Sequence, residues 1–426
     1  MEQIKRFLGG GAIMFVGTVV SGGFSYLFNV FVARLLGPGN YSEVLAILNL
    51  ATIISVATTA VSLTSMQYAG QYYYSGHGER LRHTFWVLLT RVAAIGVGLA
   101  ILTAIFVMPV SRFFSISNTS AALLSLLFVP ISLIATVHRG YLQGVQRFLA
   151  VSVAVSVEML ARFVLLFIFV KLGWGVAGAV GATIGASVLS YLSTIPFIIR
   201  LLKGPLPTSS EVAPELSAKK MLKDALPSFL ASFFLTVFLS ADILVVKRTF
   251  DADTAGQYGS ISSIAKIIVF LSAPVVGVMF PMIAERRAKG EKHYQTLLFA
   301  LVLTLGISVF ILVAYTLFTG KIVGILYGDK FGSASSLLPQ VGMMALLYSL
   351  VAVFANYFVA IRDKWFLWIF ALGGVLQIVL VELHSHPTLE ETVRSFIAVQ
   401  ALLLILFIAR YLYEKRVAMG QVMRSR

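Results

Sequence analysis

The sequence predicts an all-α polytopic membrane protein, with about twelve transmembrane helices in two six-helix bundles around a central cavity. Three observations lead there. Of the 426 residues, 58% are hydrophobic and only 12% charged, with a mean hydropathy of +0.91; soluble domains carry about 25% charged residues. Apolar runs long enough to cross a hydrocarbon core, about 20 residues each, recur along the whole chain. The basic residues between the runs fall on alternate connections, as the positive-inside rule requires.

The runs lie near 10–36, 42–68, 84–109, 120–143, 148–170, 176–200, 225–246, 257–282, 294–318, 334–360, 365–382 and 392–412. None shows the short polar–apolar alternation of a membrane β-barrel strand. The apolar stretch behind Lys5-Arg6 continues to about Leu36, too long for a cleavable signal, so it is read as the first span. The run from Phe366 to Glu382 is the shortest.

With the N-terminus inside, roughly two thirds of the 33 Lys and Arg fall on inner segments, among them Arg139, Arg147, Lys219, Lys220, Arg286 and Arg287. The outer ends hold Arg34, Arg112, Lys171, Lys247, Arg248, Lys321, Lys330 and Arg394. This asymmetry explains the net charge of +15 without nucleic acid, and places both termini in the cytoplasm and the chain in the cell (inner) membrane. Cysteine is absent, so no disulfide or thiolate metal site is available.

The longest polar connection, from Lys203 to Asp224, carries Pro205, Pro207 and Pro214 and reads as a linker. The expected organisation is therefore an N-terminal bundle over 1–202, a cytoplasmic linker over 203–224, and a C-terminal bundle with a short tail over 225–426. The two halves echo each other. Asn29-Val-Phe-Val-Ala-Arg34 before Gly39-Asn40-Tyr41 is matched by Asp242-Ile-Leu-Val-Val-Lys247 before Gly256-Gln257-Tyr258. His83 and His293 open corresponding helices.

Glycines at 9–11, 17, 22 and 23 mark the first helix for bending or for close packing. Gly173, Ala177, Gly181 and Gly185 form a small-residue stripe suited to helix packing. Pro130, Pro274 and Pro339 are expected to interrupt helices.

Charges at membrane depth are the candidate functional groups, because each costs about 2.5–3.5 kcal/mol to insert and should face protein or a wet cavity. These are Arg34, Arg91, Arg162 and Lys266 on the positive side and Glu158 and Asp242 on the negative. The positive excess favours an anionic substrate, and guanidinium suits phosphate. Arg34, Arg91, Arg162, Lys266 and the polar Asn29 are the expected substrate-binding residues. Glu158, four residues before Arg162, fits either an ion pair or an ion-coupling site. Asp242 fits a pair with Lys247, with Arg248 or with a cavity cation, or a coupling role.

Catalytic constellations are missing, and the chain is read as a non-enzyme without cofactor. All six histidines, at 77, 83, 138, 293, 384 and 386, fall in or beside expected loops. His384 and His386 with Glu382 read as a solvated loop rather than a metal site. No phosphate-binding glycine loop of the nucleotide-hydrolysing kind is present.

Several motifs carry a family resemblance. Ala33-Arg34-Leu35-Leu36-Gly37-Pro38 with Tyr41, and Arg139-Gly140-Tyr141-Leu142-Gln143-Gly144 with Arg147-Phe148, resemble polysaccharide flippases. So do Asp242 through Ala255-Gly256-Gln257-Tyr258 and the segment from Ile325 to Phe331. The resemblance is to O-antigen-type flippases in the superfamily of multidrug, oligosaccharidyl-lipid and polysaccharide exporters. It implies a V of two bundles working by alternating access in cell-surface polysaccharide biosynthesis. It also implies an undecaprenyl-diphosphate-linked glycan as substrate, with membrane lipids and other polysaccharide assembly proteins as partners. Arg34 is the one candidate cation inside a matched motif. The chain ends soon after its twelfth run, without the two further helices of lipid II flippases, which argues against lipid II as substrate. A cation-coupled multidrug exporter is the alternative reading, and a membrane-embedded glycosyltransferase the third.

Overall fold

The computed structural model describes residues 2–204, 218–291, 293–383 and 388–424. The described residues are helical apart from turns and short connections. In order the helices are α1 (Glu2–Ile54), α2 (Ala57–Tyr74), α3 (Gly78–Phe113), α4 (Thr119–Ser125), α5 (Phe128–Gly144), α6 (Phe148–Lys171) and α7 (Gly175–Lys203). Then come α8 (Ala218–Thr249), α9 (Ala252–Ala288), α10 (Tyr294–Tyr327), α11 (Leu338–Ala360), α12 (Trp365–Leu383) and α13 (Leu389–Arg424).

α1 is two segments. Gly37, at φ 78° and ψ 171°, breaks it. Two causes coincide there: the residue before a proline is pushed out of the α region, and glycine alone takes positive φ freely. The break therefore falls at Gly37, beyond the glycine-rich stretch expected to bend. The second segment of α1 and α2 meet at a 44° bend after Ile54 and run on as one span. α4 and α5 likewise form one span, Thr119–Gly144. With those joins, the described helices make twelve rods, in line with the twelve apolar runs. Nine of the helices are long and apolar enough to cross a membrane, ten with the bent pair, and Trp365–Leu380 is a shorter apolar helix.

The proteins's apolar exterior follows from the solvent: Ile101 and Ile105 on α3, Phe310 and Leu317 on α10 and Ile378 on α12 are all exposed. The chain is a multi-pass membrane protein. Two of the three expected helix-interrupting prolines sit at helix starts, where the missing N–H costs nothing. Pro130 lies in the first turn of α5, and Pro339 in the first turn of α11; Pro274 is inside α9.

By contacts the chain divides into two compact units, Met1–Thr236 with Lys247–Gly259, and Val237–Val246 with Ser260–Arg426. The α8–α9 turn thus packs within the first unit. Its partner is the break in α1: a side chain at Gly256 would collide with the Pro38 carbonyl, and one at Gly39 would meet the Asp253 carboxylate at 2.9 Å. The two segments that echo each other in the sequence therefore meet, turn against turn.

Within the first unit, small residues let helices approach. Gly181 and Gly185 of α7 face Phe169 and Leu165 of α6. Gly173, read from sequence as part of this stripe, instead makes the turn before α7 at φ 81°. Gly140 and Gly144 of α5 lie against Ser65, Met66 and Ala69 of α2. A Cβ added at Gly144 would stand 2.8 Å from that of Ala69 and 3.0 Å from the Gly70 amide nitrogen. Backbone cannot step aside as a flexible side chain can. Gly144→Leu should therefore cost about 1–3 kcal/mol by overpacking, seen as a lower melting temperature of the purified protein in detergent. An unchanged melting temperature would contradict this close approach.

Candidate functional site: three ionic clusters

The first cluster joins α5, α6 and α7. Glu158 and Arg162 are four residues apart on α6, hence on one face. Their charged groups lie 3.3 Å apart, and Arg139 of α5 closes on the other carboxylate oxygen at 2.5 Å. Arg139 also donates to the Ser190 hydroxyl on α7 at 3.0 Å, and that hydroxyl donates to the Ala154 carbonyl at 2.8 Å. The Arg162 guanidinium lies over the Phe28 ring, 5.4 Å from its centroid. Two cations share one carboxylate, so the cluster is formally +1. The Nε atoms of both arginines are buried and have no hydrogen-bond partner among the described residues. Arg139 and Glu158 line a half-open polar cavity of about 220 Å³ among α1, α2, α5, α6 and α7.

The second cluster lies in the other unit. Asp242 of α8 is 1% exposed, accepts from the Ser262 hydroxyl of α9 at 2.5 Å and lies 3.5 Å from the Lys266 ammonium. The pair is formally neutral. Of the partners weighed for Asp242 from sequence, the structure selects Lys266. Gln400 of α13 and Tyr348 of α11 border the same small cavity as Lys266 and Ser262.

The third cluster ties the α8–α9 turn to α1. Lys247 is 2% exposed and donates to Ser42 at 3.0 Å; Ser42 in turn donates to the Gly39 carbonyl at 2.6 Å. Glu43, also buried, accepts from the Ser117 hydroxyl and from the Asn118 backbone N–H at 3.0 Å. Asn118 caps α4 through the Ala121 N–H. The Lys247–Ser42 bond joins the two echoing segments, and Glu43 joins the first of them to the start of α4.

Of the residues singled out in the sequence, the structure brings Arg162 to Glu158 and Lys266 to Asp242. Arg34 and Arg91 are exposed on α1 and α3. The Asn29 amide donates to the Ser25 carbonyl of its own helix at 2.9 Å. Sequence reasoning missed three groups. Arg139, counted from sequence among the inner basic residues at the end of the 120–143 run, lies inside α5 and pairs with Glu158. Lys247 was assigned to an outer end but is buried, and Glu43 was not singled out. His138, expected beside a loop, is buried in α5, its Nδ1 2.8 Å from the Thr194 hydroxyl and its ring 4.7 Å from that of Tyr191. His384 and His386 lie outside the described residues. Among the described residues no group of three or more His, Asp or Glu is arranged to hold a metal.

A family model described as polysaccharide biosynthesis protein matches residues 7–287. The chain belongs to that family. Solved structures extend the likeness to nearly the whole chain of this polysaccharide biosynthesis protein. It resembles an inward-facing multidrug resistance MATE transporter of the MOP superfamily at 16% identity, with a TM-score of 0.72, covering 92% of this chain and 95% of that one. An outward-facing structure of such a transporter gives 16% identity and 0.66, over 95% of each chain. A MATE structure in the straight conformation gives 17% identity and 0.64, over 97% of each. No curated protein matches by sequence. These likenesses show the fold: an all-helical transporter architecture of two bundles.

The shared carboxylate sets a hierarchy within the first cluster. Removing Glu158 leaves two guanidinium groups without a counter-charge, whereas removing Arg162 leaves the pair with Arg139 intact. Breaking a fully buried pair by deleting one partner costs about 3–5 kcal/mol, and a half-buried one such as this costs less. Glu158→Gln should therefore lower the melting temperature well below that of Arg162→Gln in side-by-side melts. Equal losses would mean the carboxylate is not the common counterion.

Proposed function

We propose that this polysaccharide biosynthesis protein flips a lipid-diphosphate-linked oligosaccharide from the cytoplasmic to the outer leaflet by alternating access, for cell-surface polysaccharide synthesis. The observation that carries the reading is the Arg139–Glu158–Arg162 cluster. An extra positive charge shared by two guanidinium groups at membrane depth, one of them on the wall of a polar cavity, favours an anion with several acceptor oxygens. A diphosphate is such an anion. The family description supports the same direction.

In this reading Arg162 and Arg139 hold the diphosphate, and Arg34, Arg91, Lys266 and Asn29 serve its approach and release. Asp242 with Lys266 is the neutral pair suited to proton or sodium coupling, while Glu158 acts chiefly as counterion to the two arginines. The protein sits in the cytoplasmic membrane with both termini inside, as its inner basic residues direct. Its partners are the undecaprenyl-diphosphate-linked glycan, membrane lipids and other polysaccharide assembly proteins.

The structural neighbours that handle drugs make export of organic cations the second reading. A cluster with surplus positive charge repels such cargo. Proteoliposomes separate the two. Wild-type protein should move a fluorescent lipid-diphosphate oligosaccharide between leaflets, and Arg162→Gln should slow it about 10- to 100-fold, the worth of a charged hydrogen bond of about 1.5–3 kcal/mol. A probe that stays in its leaflet while ethidium-like cations are expelled would replace the flippase with a drug exporter.

A further inference from the structure

A second cavity of the first unit is apolar and lies among α1, α3 and the α4–α5 span. α1 gives it Ile47, Leu50, Ala51 and Ile54, spaced as one helix face. α3 gives it one face between Leu102 and Ser111. Ile47 and Ala51 are buried at its back, while Leu102 and Phe106 are half exposed, so the cavity opens sideways to lipid. The two hydroxyls on the wall at Thr103 and Ser125 donate to carbonyls of their own helices. The wall therefore asks for hydrocarbon.

Its dimensions are those of a lipid tail. Nine steps along α3, from Leu102 to Ser111, rise about 13 Å at 1.5 Å per residue. One leaflet supplies about 15 Å, half of a 30 Å hydrocarbon core. An apolar cavity of about 150 Å³ takes up one benzene, so the 280 Å³ here has room for roughly ten carbons.

Cations stand at one end of this slot. Phe113 follows Val110 by three residues on the same face of α3, and the Arg248 guanidinium lies over its ring, 4.2 Å from the centroid. Arg112 is exposed at the same helix end. The acids nearby are engaged: Glu43 accepts from Ser117 and Asn118, and Asp251 from the N–H groups of Asp253 and Thr254. The Asp253 carboxylate lies against Gly39. A neutral apolar compound would fill the slot and leave the arginines unused. A phospholipid uses both parts, an acyl chain for the slot and a phosphate for the guanidinium groups.

We propose that the slot binds one membrane phospholipid, with an acyl chain between α1, α3 and the α4–α5 span and the phosphate on Arg248 and Arg112. The site is separate from the polar cavity and does not depend on which cargo is moved. Its far end reaches Ile54, the last residue before the 44° bend, while the next residue, Ser55, faces the polar cavity. The lipid is thus a brace on the bend rather than a cargo.

The test uses the full chain stripped of lipid in detergent and two photoreactive probes. One is a phosphatidylglycerol with a diazirine in its acyl chain, the other a diacylglycerol with the same chain and no phosphate. Saturable labelling by phosphatidylglycerol should concentrate on residues 47–54 and 102–111. Arg112→Gln with Arg248→Gln should weaken phosphatidylglycerol labelling about five- to tenfold and leave diacylglycerol labelling within twofold. Thr103→Phe fills the slot and should weaken both at least tenfold. If Thr103→Phe elutes aggregated, the arginine variant decides. Labelling spread equally over the exposed faces of α10 and α12, or equal losses of both probes in the arginine variant, overturns the site. So does displacement of the probe by a polyprenyl diphosphate at lower concentration than by phosphatidylglycerol, which would give the slot to a substrate tail.

Discussion

A charge inside a membrane must be given a partner by the protein, because lipid supplies neither water nor counterion. That constraint organises this chain. Each of the three clusters joins separate helices through ionised side chains: the half-buried Arg139, Glu158 and Arg162 tie α5 to α6 and reach Ser190 on α7. Asp242 and Lys266 tie α8 to α9. Lys247, hydrogen-bonded to Ser42, fastens the α8–α9 turn to α1 beside Glu43. Apolar faces set no preferred neighbour in hydrocarbon, since lipid tails are as apolar as leucine. Ion pairs and close contacts at small residues therefore select which helices meet, and the two devices occur side by side. α5 presents Gly140 and Gly144 to α2 on one face and Arg139 to α6 on another.

The fold was legible because lipid imposes a length on every crossing. Twelve apolar runs read directly as rods, and even the short α12 was anticipated near 365–382. What hydropathy cannot show is how a rod is divided. The Gly37–Pro38 break falls between the first two apolar runs, 10–36 and 42–68, and so was legible, whereas the bend after Ile54 lies inside an apolar run with no proline to mark it. Gly173 also shows the limit of spacing arguments. Its place in a four-residue period was real, but its positive φ puts it in a turn.

The candidate site was legible in part, for a physical reason. Glu158 and Arg162 share a helix face, so their pairing follows from spacing alone. Arg139 did not follow, because a cation a few residues from a helix end reads as topological charge as readily as a buried partner. Glu158 lies about three turns into the next helix beyond the tight connection at Val145–Arg147, so no short spacing marks it as the partner of Arg139. Lys247 misled in the same way. Near the end of α8 it looked solvated, yet its partner Ser42 is 205 residues away, a distance no local pattern encodes. The internal echo was the better guide, since Lys247 and the Gly256 turn are the counterparts of Arg34 and the Gly39 turn, and the second turn packs on the first.

The clusters differ in what they leave over. In the second and third, acid and base balance, and their side chains are spent on one another or on hydroxyl and backbone groups. In the first, one carboxylate serves two arginines, and both retain an unused buried N–H. A cluster with a structural role alone gains nothing from a second cation, because desolvating it costs more than a shared carboxylate returns. The imbalance makes sense when a further anion completes the set during the working cycle. Position adds to the argument: Arg139 and Glu158 line a hydroxyl-rich cavity, whereas the Lys247 cluster is closed in by the turn of α1. Surplus charge and polar space coincide at Arg139, which sets this cluster apart from the two whose charges are equal in number.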